Sequence, residues 1–265
     1  MKIVFVFIVL FSAGFVFAQG TQNDPAIPQI FYKIPGQEKA RVEKDIGYKK
    51  VDDAELKLDI YSPEKKSNRA RPAVVFVSGA SETKHWNIYK NYGELTAANG
   101  MIAVNFNKRY SQGEAGYKTG LEDTFDAIKF IRDNAAQYGI DKDRIAVWTF
   151  SAGGALTLAG LQENQPYVKA VVSYYGILAG SSRAQVTALG EKLPPVLVVR
   201  AGRDVKFIND LIDQFVQEAI SKNVDLTFIN YPQGQHAFEI RDDTEQTREI
   251  LQDTFIYLRK KLNVK

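Results

Sequence analysis

IAVWTFSAGGALTL, residues 145–158, is the stretch on which the architecture turns. Ile145 to Phe150 form a nearly continuous apolar run, which indicates a strand covered on both faces rather than a half-exposed one. Ala155-Leu156-Thr157-Leu158 is helix-compatible. Between them stand Ser151 and three tiny residues, Ala152, Gly153 and Gly154. A turn this tight brings the strand and helix backbones almost into contact, so only small neighbours fit. It pushes the serine hydroxyl outward and sets the next backbone N–H beside it. Ser151 is therefore a candidate nucleophile, although Ser-Ala-Gly-Gly can also serve as a plain helix N-cap.

The same alternation extends along the chain. Further short apolar runs are Val74–Val77, Met101–Phe106, Lys169–Tyr174, Pro195–Arg200 and Leu226–Tyr231. Between them, Leu121, Phe125, Ile128, Ile131 and Ala135 follow helical spacing. So do Ile208, Leu211, Ile212, Phe215, Val216, Ala219 and Ile220, and a last set of Ile250, Leu251, Phe255, Leu258 and Leu262. Strand and helix alternating this often predict an α/β fold, with a mostly parallel, doubly wound sheet and helices on both faces. Two earlier strand-like stretches, Asp45–Val51 and Ala54–Tyr61, are close enough to pair as an antiparallel hairpin at one edge. In the second, Leu56, Leu58 and Ile60 alternate with charged residues.

Composition narrows the classes. The chain has 265 residues, 45% of them hydrophobic and 25% charged, which fits a globular protein and excludes collagen-like or disordered ones. The net charge is +3 and the signs are interspersed, so no nucleic-acid stripe is expected. There is no cysteine, which removes disulfides, thiol nucleophiles and Cys-ligated metal. Residues 1–18 read as a signal peptide. Lys2 precedes a 15-residue apolar run, and Val16 and Ala18 occupy the small-residue positions of a cleavage site. The run is short of the roughly 20 residues that span a bilayer, so no stable membrane anchor is expected after cleavage, and the location expected is secreted or periplasmic. Residues 19–44 read as an exposed N-terminal arm and 45–265 as one domain.

Ligands of open α/β sheets bind at the carboxyl ends of the strands. The residues there are informative. Asp204 follows Pro195–Arg200, and His236 follows Leu226–Tyr231; the other histidine, His85, reads as a loop residue. A serine needs a base, and the base needs an acid to hold its tautomer. Asp210 and Asp213 are rival acids, but their spacing places them within a helix.

Thr149–Gly154, Arg200–Asp204 and Gly234–Phe238, with Ser173–Gly176 and Tyr138–Ile145, resemble the α/β-hydrolase superfamily in its branch of small esterases and dienelactone-hydrolase-like proteins. The resemblance covers about residues 45–263. The order Ser151, Asp204, His236 is the one that superfamily uses. It implies an exported serine hydrolase, most simply a carboxylic-ester hydrolase, working through an acyl-enzyme with no metal and no cofactor. The oxyanion donors implied are the backbone N–H groups of Ala152 and of Ala80 or Gly79. Two departures stand out: Thr149 replaces the glycine usual two residues before the serine, and Ser78-Gly79-Ala80-Ser81 replaces a His-Gly-Gly-Gly loop.

The segment 175–194 is too short for a helical lid, so an open site without a large cap is expected. Trp86, Tyr110 and Tyr175 are candidate substrate contacts, and an aromatic rim suits a small-molecule or carbohydrate ester. The alternatives are a serine peptidase of prolyl-oligopeptidase type and a non-catalytic binding protein on the same fold.

Overall fold

The computed structural model describes residues 29–80, 87–110, 114–161, 165–178 and 193–264. The signal-peptide reading of residues 1–18 lies outside them, as do His85 and Trp86. Eight strands form one sheet: β1 (Arg41–Val51), β2 (Ala54–Ser62), β3 (Arg71–Val77), β4 (Ile102–Phe106), β5 (Ile140–Phe150), β6 (Val168–Tyr174), β7 (Val196–Ala201) and β8 (Leu226–Tyr231). Their spatial order is β1-β2-β4-β3-β5-β6-β7-β8. β2 runs antiparallel to both neighbours, and all the later pairings are parallel. The superfamily's fold, an α/β-hydrolase sheet with helices on both faces, is the one observed.

Alternation along the buried strands splits the core in two. Val74, Phe76, Ala146, Trp148, Phe150, Val172, Tyr174, Leu197 and Val199 face α1 (Asn87–Ala98) and α7 (Glu245–Lys261). Ala73, Val75, Val77, Ile145, Val147, Val171, Val196 and Val198 face α2 (Glu114–Asp133) and α5 (Lys206–Ser221). Trp148 centres the first half. Its ring lies 4.8 Å from Tyr92, 5.1 Å from Tyr174, 5.4 Å from Phe76 and 5.5 Å from Phe255. Burying each such side chain contributes about 1.5–3 kcal/mol, and each aromatic pair adds about 0.5–1.5 kcal/mol. The remaining helices are α3 (Ala135–Tyr138), α4 (Gly153–Leu161) and α6 (Phe238–Arg241).

This order fixes where a site can lie. From β3 the chain passes through α1 to β4 on one side, then returns through α2 to β5 on the other. The crevice outside the carboxyl ends of β3 and β5 is the switch point of the sheet.

The reading of residues 19–44 as an exposed arm is corrected at residues 30–32, which are tied into the domain. Ile30 is only 1% exposed, and its N–H donates to Asn91 Oδ1. Phe31 N–H donates to the Glu239 carbonyl, and the Tyr32 ring stacks on Phe255. Tyr32 and Ile34 also pack against the first half of the core, and the prolines and polar residues around them concealed the segment's role. β1 also begins at Arg41 rather than Asp45. An edge strand needs no apolar face, and Asp45, at φ 58, marks a break in its register with β2. In β2 the expected alternation fails at Asp59, which is buried and accepts from the Asp45 N–H at 2.8 Å.

Ile30→Ala is expected to cost about 2–4 kcal/mol, because the site is buried and cannot readily collapse. Urea unfolding of wild type and variant measures it; a difference near zero would show that the segment is not part of the folding unit.

Candidate active site

Ser151 adopts φ 49, a left-handed backbone that non-glycine residues rarely adopt. Neighbours from β6, from the start of α4 and from the turn after β6 hold it there. Ser151 N–H donates to the Tyr174 carbonyl at 3.2 Å, and its own carbonyl accepts from Gly154 N–H at 3.0 Å and Ile177 N–H at 2.8 Å. Strain at a single residue survives when the surroundings over-determine it.

The glycines make this possible by leaving room. A Cβ on Gly153 would lie 2.5 Å from the Val77 carbonyl oxygen, 2.7 Å from that of Ser78 and 2.8 Å from Thr149 Oγ1. The missing Cβ thus accommodates Thr149, whose side chain takes the place expected for a glycine. On the other side, a Cβ on Gly79 would lie 3.0 Å from Ser151 Cβ, so the loop after β3 packs directly on the serine. Ala152 lies in the same turn, just before α4.

Asp204 and His236 meet across β7 and β8. Arg203 N–H donates to the Gly234 carbonyl, and Gly202 N–H to that of Tyr231, joining the two turns. Asp204 Oδ1 accepts from Val205 N–H at 2.7 Å, while Oδ2 lies 2.6 Å from His236 Nδ1. The Asp204 side chain is 1% exposed; that of His236 is 34% exposed, so one face of the imidazole reaches solvent. In the neutral tautomer that this carboxylate favours, the proton sits on Nδ1 and the lone pair on Nε2. The rival acids stand apart: Asp210 pairs with Lys206, and Asp213 with Arg200. Among the described residues no hydrogen bond joins Ser151 Oγ to His236.

Tyr175 corrects an expectation. Read as a rim contact, it is only 3% exposed. Its ring centroid lies 4.5 Å from that of His236 and 6.3 Å from that of Phe150, so it fills the space beneath the imidazole and beside the serine strand. Its hydroxyl donates to Glu239 Oε1. Tyr110 is half-buried, with Lys108 Nζ 5.4 Å from its ring centroid.

Glu239 and Lys108 were not singled out from sequence. Burial pushes the Glu239 carboxyl up to about 7, against the hydrogen bond from Tyr175 and the charge of His236. The phenols of Tyr89, Tyr92, Tyr174 and Tyr175 surround it. Only its position three residues after His236 signals it. Lys108 signals itself by lying two residues past an apolar strand, at the carboxyl edge of the sheet.

Known proteins share this architecture. The pattern of the BD-FAE family matches residues 58–232, and the chain belongs to that family. An arylesterase of Saccharolobus solfataricus is 36% identical over 116 residues, covering 42% of this chain and 36% of the relative. The chain thus spans little more than a third of that relative's length. Among solved structures, a thermophilic esterase from Thermogutta terrifontis aligns with TM-score 0.67 at 20% identity, covering 85% of this chain and 94% of that one. The same esterase phosphorylated by paraoxon aligns with TM-score 0.66 at 21% identity, over 85% and 95% of the two chains. A truncated carbohydrate esterase from gut microbiota aligns with TM-score 0.67 at 19% identity, covering 86% of this chain and all of that one.

Two outcomes are expected. Gly153→Ala should destabilise the fold by about 1–3 kcal/mol, since backbone carbonyls must move to admit the methyl; a thermal melt equal to wild type would contradict it. For Glu239 the folded state holds its proton up to about pH 7, above the ordinary glutamate value. The native state therefore binds more protons than the unfolded chain between about pH 4.5 and 7, and stability is lost as pH rises through that window. Glu239→Gln removes the dependence. Its stability relative to wild type should rise by roughly 3 kcal/mol between pH 4.5 and 8, read from denaturant midpoints; a pH-independent difference would contradict this.

Proposed function

We propose that this protein is an exported serine carboxylesterase in which Ser151 is the nucleophile, His236 the general base and Asp204 the orienting acid. The observation that carries the reading is the 2.6 Å Asp204–His236 bond, set at the same sheet edge as a serine held in a left-handed turn. The esterases among the similar proteins support it, and the composition of residues 1–18 supports export.

In this reading His236 Nε2 takes the proton as Ser151 Oγ attacks the ester carbonyl, and Asp204 stabilises the imidazolium. The tetrahedral oxyanion is met by the N–H groups of Ala152 and Ala80. Gly79 is the weaker candidate, because the Tyr89 phenol already engages its backbone. Protonation by His236 releases the alcohol and leaves Ser151 acylated. A water deprotonated by His236 then frees the acid. The chain's own residues supply each proton transfer.

A segment 175–194 too short for a helical lid suits soluble esters, and the likeness to a carbohydrate esterase favours acyl groups on sugars as the substrate class. A panel of acetylated and feruloylated oligosaccharides beside aryl esters tests this; equal kcat/KM across the panel would remove the carbohydrate assignment.

Ser151→Ala is expected to lower kcat for an aryl ester by at least roughly 10⁴-fold and to abolish labelling by a fluorophosphonate. Unchanged turnover in Ser151→Ala would dispose of the nucleophile, and unlabelled wild-type protein would favour a binding role for the fold.

A further inference from the structure

Lys108 is a buried cation beside the catalytic serine's loop, and no step of the mechanism above uses it. Its side chain is only 1% exposed and ranks with the largest fully buried side chains. An ammonium group withdrawn from water is strongly unfavourable unless its donors are met. Here Nζ donates to Ser78 Oγ at 2.7 Å and to the Gly79 carbonyl at 3.0 Å. Both acceptors lie in the loop that packs on Ser151.

The platform that carries Lys108 is rigid. Asn107 N–H donates to the Lys57 carbonyl at 2.8 Å, and Tyr48 Oη donates to the Asn107 carbonyl at 2.5 Å. On the other side, Arg109 binds the buried Asp123 carboxylate through its backbone N–H at 2.8 Å, Nε at 2.9 Å and Nη2 at 2.8 Å. Lys49 adds a second cation to that carboxylate at 2.7 Å. Burial raises the Asp123 carboxyl, but the bonds from Arg109 and Lys49 outweigh it and hold it below the ordinary range. The residues on both sides of Lys108 are thus anchored to β1, β2 and α2, and the ammonium cannot drift with the loop it grips.

The geometry of one peptide unit turns this grip into a function. No peptide bond among the described residues is cis. In a planar trans peptide the carbonyl and the following N–H point in opposite directions. Holding the Gly79 carbonyl toward Lys108 therefore turns the Ala80 N–H away from it. The Gly79 backbone is also engaged by the Tyr89 phenol, which hydrogen-bonds Ser78 as well. With both neighbouring groups committed, the rotation of the Gly79–Ala80 peptide is set before substrate arrives. Relatives of this superfamily often carry further glycines in this loop; here the alanine at position 80 leaves fewer backbone choices.

We infer that Lys108 is a positioning residue for the oxyanion hole: its ammonium grips the Gly79 carbonyl, so that the Ala80 N–H is held facing the space above Ser151. The inference rests on the esterase reading for what that N–H does.

Because Lys108 touches neither substrate nor the nucleophile in this scheme, its loss should act on the transition state rather than on binding. Lys108→Met is expected to lower kcat for a soluble aryl ester about 10- to 100-fold with KM within about threefold, less than the 10²–10³-fold typical of deleting an oxyanion donor outright. The rate of fluorophosphonate labelling, whose phosphoryl oxygen occupies the same hole, should fall in parallel. Lys108→Ala should regain activity when ethylammonium is added, an effect that a purely structural role would not produce. If Lys108→Met does not fold, Lys108→Gln, neutral and one atom shorter, is read by the same criteria. The proposal is overturned if a folded variant keeps wild-type kcat, or if KM rises while kcat holds. Ser151→Ala separates the two levels: activity surviving in Ser151→Ala removes the esterase reading itself, whereas inert Ser151→Ala beside fully active Lys108→Met removes only the role of Lys108.

Discussion

The left-handed backbone at Ser151 is the constraint on which the arrangement depends. Such a conformation costs on the order of 1–3 kcal/mol, and it is maintained by groups from β6, from the start of α4 and from the turn after β6. Missing Cβ atoms do as much as the hydrogen bonds. Gly153 lets α4 begin against the carbonyls of Val77 and Ser78, and Gly79 lets the loop after β3 rest on the serine. One residue is thereby tied to β3, β5 and β6, and to the helix that follows it.

Around that residue the interior carries ionisable groups, each met by different partners. Asp123 is surrounded by Arg109 and Lys49 and stays charged. Lys108 meets oxygen acceptors in the loop beside the serine. Asp204 faces an imidazole and a backbone N–H. Glu239 is different: phenols surround it, and burial outweighs the charge of His236. His236 therefore lies between an acid bonded to its Nδ1 and a tilted tyrosine ring that leads to a second, buried carboxyl.

Periodicity made the central sheet readable, because strands covered on both faces must be apolar throughout, and the helices between them must each bury one stripe. It failed where that rule lapses. β1 is an edge strand; Ile46 and Tyr48 pack on the core, but its first four residues are exposed and carry no buried stripe, so they were assigned to the arm. Ile30, Phe31, Tyr32 and Ile34 are apolar or aromatic but fall in neither a strand nor a helix, so they follow no period that would mark them as core. The order of Ser151, Asp204 and His236 after successive strands was legible because chemistry in such a sheet gathers at one edge. Tyr175 was misplaced because a residue just after a strand can turn outward to the rim or inward under the histidine, and only its left-handed backbone, at φ 39, directs it inward.

Sequence by itself determined the alternation of strands and helices, the tight small-residue turn at Ser151, and the short list of side chains able to complete a nucleophilic site. These follow from local rules: hydrophobic period, the size of residues beside a turn, and the scarcity of histidine. Tertiary structure alone decided that Thr149 fits because Gly153 leaves it space, that Asp204 rather than Asp210 or Asp213 meets His236, and that Lys108 and Glu239 lie buried around the site. Those outcomes depend on which distant backbones come within a few ångströms of one another, a property of how strands are ordered in the sheet, and spacing along the chain does not encode it.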